Sequence, residues 1–184
     1  MLGANDSVHT QPNEWNQHVP LSEYKQNLHE MLAIVRAESP ATRVVLITPT
    51  PIDAAAWGVR NNGNFDRSPA HTKTYRDACI EVYREAEAGS GDSGGDGWGQ
   101  ELVLVDSWAV FLGDGKTDYV GEDLNGLFSD GLHLAAKGNT LLALALLKAI
   151  KKSWPDLDPA ALTFPITPFD KIDTDNLPNS LFSL

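Results

Sequence analysis

The sequence predicts an α/β fold built on a parallel sheet. Three observations carry this. Short, wholly apolar, β-branched runs stand at Val44–Ile47 and Leu102–Val105. Long segments of helical periodicity precede, separate and follow them. The order reads strand end, helix, strand, helix, strand, helix, which implies a layered sheet with crossover helices. Unbroken apolar strands of this kind are covered on both faces, whereas half-exposed antiparallel strands alternate.

The elements follow in order. Gly3-Ala4-Asn5-Asp6 reads as a buried strand turning into a loop, although it opens the chain. Leu21, Tyr24, Leu28, Met31, Leu32 and Val35 recur at steps of three and four, which predicts an amphipathic helix over 21–38. Ser39-Pro40 ends it. Val44–Ile47 is the next strand, and Thr48-Pro49-Thr50-Pro51 must leave the sheet because proline cannot continue the ladder. Residues 52–67 read as an irregular connection. Ser68-Pro69 starts a second helix that turns Tyr75, Ala78, Cys79, Val82 and Tyr83 inward, with Gly89 as its stop. The glycine-rich stretch 90–99 lacks a lysine and the spacing of a phosphate loop, so it reads as a surface loop. Leu102–Val105 is a strand ending at Asp106, followed by a polar stretch. SDGLHL then leads into a helix over 135–153, stopped by Pro155. The tail, 155–184, holds five of the eleven prolines together with Phe164, Ile166, Phe169 and Leu177. It is expected to lie extended on the body, which divides the chain into a domain at 1–154 and a packed tail at 155–184.

Composition narrows the function. With 184 residues the chain is one domain or most of one. Acidic residues number 25 against 14 basic, for a net charge of -11. Nucleic acids and anionic membranes demand clustered Lys and Arg, and the densest basic spot is Lys151-Lys152. The longest apolar run, Leu141–Leu147, is far short of a membrane span. One cysteine, Cys79, excludes an internal disulfide and a thiol-rich metal site. Its helical spacing with Tyr75, Ala78 and Val82 marks it as a core residue. It fits a reducing compartment, so a cytoplasmic location is expected. Oligomeric state is open.

In sheets of this type the site lies at the carboxyl ends of the strands. Here those ends are Gly3–Asp6, Thr48–Pro51 and Asp106–Trp108. Asp130 and His133 are three apart, with Gly131 allowing a tight turn between them. In a loop, that spacing brings a carboxylate to an imidazole, fixing its tautomer and stabilising the imidazolium, which makes a general base. Taken alone, Asp-x-x-His reads as a turn holding a half-buried histidine before a helix. Asn5, at a strand end, carries an amide that can donate to an oxyanion. Taken alone, it reads as an Asn-Asp turn bonded to its own backbone.

Together these blocks are recognisable. GANDS, QHVPLSEYKQNL, VVLITPTPID, TKTYRDACIEVYREA, VLVDSWAVF, FSDGLHLAAKGNTLL and the tail WPDLDPAAL occur in one order over nearly the whole chain. In this it resembles the GDSL, or SGNH, hydrolase superfamily, and within it the isoamyl acetate-hydrolysing esterases. The resemblance implies a flavodoxin-like three-layer α/β/α sandwich. It also implies hydrolysis of short-chain carboxylic esters, such as acetate esters, with no metal or cofactor. His133 would be the general base and acid, Asp130 its orienting carboxylate, and Asn5 an oxyanion donor. The partner implied is a small-molecule ester.

Two blocks of that family have no counterpart. The Gly-Asp-Ser that supplies the nucleophile is one. The glycine whose backbone N–H completes the oxyanion hole is the other. Gly91-Asp92-Ser93 stands in the wrong order relative to Asn5 and is assigned no role. Ser7 leads away from the strand end, and Ser129 adjoins Asp130, badly placed for the far nitrogen of His133. The expectation is therefore an N-terminally truncated domain lacking its first two strand–helix units, roughly 60 residues. The exposed sheet edge would make the chain marginal alone. Two alternatives follow. One is a catalytically inactive fragment or pseudoenzyme that binds or regulates. The other, an unrelated flavodoxin-type nucleotide binder, needs a phosphate loop after the first strand, and none is visible. Pro51-Ile52-Asp53 and Trp57 follow a strand end and read either as pocket lining or as loop packing.

Overall fold

The computed structural model describes residues 2–9, 17–89, 97–162 and 166–181. Two compact units divide at 149/150, five residues before the boundary expected from the prolines.

In the first unit, α1 (Leu21–Glu38), α3 (Pro69–Ala88), β1 (Val44–Ile47) and β2 (Leu102–Val105) take the places their periodicity predicts. The strands pair in parallel, from Val44 opposite Leu102 to Ile47 opposite Val105. One core joins α1, α3 and β2. Tyr24, Leu28 and Leu32 from α1 meet Tyr75, Ala78, Cys79 and Val82 from α3, with Trp98 and Leu102 closing the cluster. Burying the leucines and the valine among them contributes about 1.5–3 kcal/mol each. Ser68 starts α3 by accepting the His71 amide at 3.3 Å, with Pro69 behind it, as the Ser-Pro pair predicts.

Four readings are corrected. Residues 2–3 lie in no strand, and a turn begins at Ala4. The connection 52–67 contains a helix, α2 (Ala54–Arg60), because Asp53 Oδ1 accepts the amides of Ala55 and Ala56 and so caps it. The polar stretch after β2 opens with another helix, α4 (Ser107–Leu112), capped by Asp106. The described residues of the tail are turn-rich, not extended.

That tail falls in the second unit. It has short 3₁₀ turns at Pro155–Leu157, Phe169–Lys171 and Thr174–Asn176, and a one-turn helix, α6 (Leu177–Ser180). Asp158 and Asp173 each accept an amide two residues on, the local bond that turns a chain back on itself. Lys151 pairs with Asp158 at 2.6 Å.

The carboxyl ends of β1 and β2 are locked together by polar groups taken out of water. The Ser107 amide donates to Thr48 Oγ1 at 2.9 Å, and the Trp108 indole donates to the Pro49 carbonyl at 3.0 Å. Arg76 from α3 grips Asp106 with Nε at 3.0 Å and with Nη2. Thr48 and Ser107 are fully buried, so each of these bonds is costly to leave unmade. They fix the ledge from which Thr50 and its neighbours reach the site.

Candidate active site

Two loops build the site. The first is Gly3–Val8. The Gly3 amide donates to Asp6 Oδ2 at 3.0 Å, and the Ser7 amide returns to the Gly3 carbonyl at 3.0 Å. Asp6 is thereby spent on the turn, and the Ser7 hydroxyl donates inward to the Ala4 carbonyl at 3.2 Å with the residue 1% exposed. Asn5 stands on the outside of the turn, exposed.

The second loop runs from Phe128 to Leu134, which form a bridge at its neck. The Ser129 amide and hydroxyl both donate to the His133 carbonyl, at 2.8 and 3.1 Å. Inside the loop Asp130 Oδ1 accepts the amides of Leu132 and His133, at 3.0 and 2.8 Å, and Oδ2 meets His133 Nδ1 at 2.8 Å. Burial alone would raise the Asp130 carboxyl. The amide and ring of His133 and the amide of Leu132 outweigh it and hold the carboxyl at about 2. It is therefore an anion at neutral pH. An anion on Nδ1 makes that nitrogen the N–H donor and leaves Nε2 as the lone-pair acceptor. The imidazole is mostly open to solvent, 69% exposed, so Nε2 is accessible.

Gly131 sets where this loop sits. Its φ is +92°, and its Cα lies so close to the start of α2 that a Cβ would come within 2.4 Å of the Asp53 carbonyl oxygen. The Asp53 amide donates to the Gly131 carbonyl at 2.9 Å, pinning the loop to the helix that Asp53 caps. Trp57, one turn into α2, then meets the His133 ring edge-on with centroids 5.9 Å apart.

Asn5 and His133 face one cavity of about 460 Å³, lined also by Gly3, Thr50, Leu132 and Asn139. The sequence placed these two groups 128 positions apart, and the fold brings them together. Asp130 stands behind His133. Ser7 and Ser129 spend their hydroxyls on backbone carbonyls, as described. Gly91-Asp92-Ser93 lies outside the described residues. Of the residues considered as pocket lining, Pro51 and Ile52 are buried loop packing, Ile52 being held by the Tyr119 hydroxyl, and Asp53 caps α2. Trp57 alone reaches the site.

Sequence reasoning missed one residue. Arg67 is 5% exposed. It donates through Nη1 to the Ala4 carbonyl and through Nη2 to Asn5 Oδ1 at 3.4 Å. Its position beside Ser68-Pro69 reads only as helix entry, and no local pattern links it to Asn5.

A cavity holding an amide donor opposite an imidazole with an anion behind it can stabilise a developing oxyanion and carry a proton. Among the described residues no group of three His, Cys, Asp or Glu side chains is placed to hold a metal, and no helix is long and apolar enough to cross a membrane.

Known proteins are similar to this chain in sequence and fold. The isoamyl acetate-hydrolyzing esterase 1 homolog of Mus musculus is 35% identical over 155 residues, covering 82% of this chain and 54% of the mouse protein. Its Homo sapiens counterpart is 32% identical over the same share of each chain. The chain thus spans about half the length of the curated relatives it matches. A crystal structure of a lipase/acylhydrolase from Enterococcus faecalis shares the fold, with a TM-score of 0.54 at 23% identity, over 82% of this chain and 58% of that one. The family model for GDSL-like lipase/acylhydrolase matches residues 1–146. The fold, the order of its blocks and these matches agree: the chain belongs to the GDSL-like lipase/acylhydrolase family.

Proposed function

We propose that the protein hydrolyses short-chain carboxylic esters, acetate esters of small alcohols among them, by a Ser-His-Asp mechanism. His133 is the general base and then the general acid, Asp130 orients and stabilises its ring, and Asn5 donates to the oxyanion. The Gly-Asp-Ser block that would supply the serine has no counterpart in these residues. In the first step the serine oxygen bonds to the acyl carbon, its proton passes to His133 Nε2, and the alkoxide leaves with that proton as alcohol. Water then repeats the transfer and releases the acid. The catalytic residues belong to the segment 1–154, with 155–184 as a tail. The single thiol, Cys79, suits a reducing, cytoplasmic compartment.

The observation that carries this reading is the shared cavity, which Asn5 and a carboxylate-bound His133 both line. The relatives' printed names, esterases of isoamyl acetate, supply the substrate class.

A second reading is a catalytically silent protein that keeps this half-site for binding or regulation. The Ser7 and Ser129 hydroxyls, both bonded to backbone carbonyls, favour it.

Hydrolysis of p-nitrophenyl acetate separates the two. The 184-residue chain alone is expected to be inert. A polypeptide that supplies the serine is expected to turn over, and His133→Ala or Asp130→Ala to lower kcat by roughly 10⁴-fold. A rate that survives both substitutions refutes the assigned site. Inertness of every form that carries the serine favours the silent reading.

A further inference from the structure

Among the described residues the guanidinium of Arg67 has no bidentate carboxylate partner. It is buried, its nearest anion is Asp66 at 3.8 Å from Nε, and Nε itself has no hydrogen-bond partner among the described residues. Its two bonds go to uncharged oxygens, Ala4 O and Asn5 Oδ1. A buried cation compensated this poorly costs folding stability, and an apolar side chain of like volume would pack there more favourably. The two oxygens it holds are therefore the reason to look for its role, and one of them belongs to the candidate oxyanion donor.

The chemistry of the contact is decisive about orientation. A guanidinium only donates, so the Asn5 atom facing it must be Oδ1. The Nδ2 amide then turns the other way, on a residue that lines the cavity. A cation on the carbonyl also polarises the amide and strengthens its N–H as a donor. Arg67 is itself braced. Its guanidinium lies over the Trp57 ring, 5.4 Å from the centroid, and the Trp57 indole N–H donates to Asp66 Oδ1 at 2.8 Å. The opposite edge of this bracket is the Trp57–His133 ring contact. One set of three side chains thus touches both halves of the cavity, the amide side through Arg67 and the imidazole side through Trp57.

We propose that Arg67, braced by Trp57 and Asp66, is a positioning residue that holds the Asn5 carboxamide with its N–H₂ toward the cavity and couples it to the His133 side of the site. The proposal rests on the oxyanion role given to Asn5 above, and its test separates the two.

The first measurement needs no turnover. In the 184-residue chain, the side-chain amide of Asn5 is observed by NMR. With Arg67 present its two protons are expected to be distinct in shift and its order parameter high. In Arg67→Met the order parameter is expected to fall below about 0.6, with Lys in place of Arg restoring part of it and other amides unmoved. A second variant serves if Arg67→Met does not fold. The carboxylate introduced by Asn5→Asp, facing a guanidinium, is expected to titrate below the ordinary carboxylate range. An Asn5 amide unchanged in a folded Arg67→Met, or an ordinary titration in Asn5→Asp, overturns the proposal. Kinetics then test the oxyanion role by itself in the serine-bearing form. Asn5→Ala is expected to lower kcat by about 10²–10³-fold with KM nearly unchanged, Arg67→Lys by about 10-fold, and the double variant no more than Asn5→Ala alone. A normal kcat in Asn5→Ala sinks the oxyanion role while leaving the NMR result standing. Additive losses in the double variant sink the positioning role.

Discussion

Gly131→Ala adds one methyl group where the Asp130–His133 loop lies on α2. The new Cβ would sit 2.4 Å from the Asp53 carbonyl oxygen, 2.6 Å from the Trp57 amide nitrogen and 3.1 Å from Ala56 Cβ. The two closest atoms are backbone, so no side chain can swing away. Ordinary contact begins at 3.4 Å, so the loop must retreat by about 1 Å. That strains the 2.9 Å bond from the Asp53 amide to the Gly131 carbonyl. Overpacking of this kind costs about 1–3 kcal/mol. The positive φ adds about 1–2 kcal/mol for any side chain. Gly113 provides the control. Its φ is +95°, close to the +92° of Gly131, yet nothing lies within 4 Å of a Cβ there. Gly113→Ala is thus expected to lose only the backbone term, and Gly131→Ala about 1–3 kcal/mol more. Urea unfolding followed by tryptophan fluorescence reads both, and at a slope of about 2 kcal/mol per M the extra loss moves the midpoint by about 0.5–1.5 M. The His133 and Trp57 amide signals are expected to shift in Gly131→Ala and to stay fixed in Gly113→Ala. Two variants equal within about 0.5 kcal/mol would refute the claim that close approach to α2, and not the turn alone, requires this glycine.

Two further outcomes are expected. The Asp130 carboxyl is held at about 2 in the fold against an ordinary 3.8, so its stabilisation is present above about pH 4 and is lost as pH falls from there through 2. The drop corresponds to at most ~2.5 kcal/mol, and the exposed imidazole partner reduces it by solvent screening to about 1 kcal/mol. The stability gap between wild type and Asp130→Asn should therefore narrow by about that much between pH 6 and pH 2.5 in denaturant titrations, and a constant gap would count against the ion pair. Cys79 is 1% exposed, and burial pushes its thiol up to about 11. It should stay unreactive toward a disulfide reagent at pH 8 in the native chain and react once on unfolding, whereas fast native labelling would contradict its place in the core.

α5 (Ala136–Ser153) forms as expected although Gly138 is its one buried residue. Periodicity made α1 and α3 legible, because Tyr24, Leu28 and Leu32 in one and Tyr75, Ala78, Cys79 and Val82 in the other both repeat in sequence and pack, and unbroken apolar runs marked the two strands. It missed α2. The helix has only seven residues, with Gly58 inside it and Asn61-Asn62-Gly63 just after, and these outweigh its alanines. Asp53 ahead of three alanines was the available signal, since an N-cap acts through neighbours two and three residues on. It missed α4 for a similar reason, because six residues hold too few repeats to show a period.

The candidate site divides along the same line. Asp130 and His133 interact across three residues, so the spacing with its glycine made the contact legible, while the roles of the pair came from the resemblance of the blocks around it. The position of Asn5 opposite His133, the burial of Ile52, the spent hydroxyls of Ser7 and Ser129, and the bracket from Arg67 through Trp57 were decided by the tertiary structure. Arg67 reaches Asn5 across 62 positions. No periodicity or spacing encodes such a contact, because it exists only after α2, α3 and the strand ends have been packed into place.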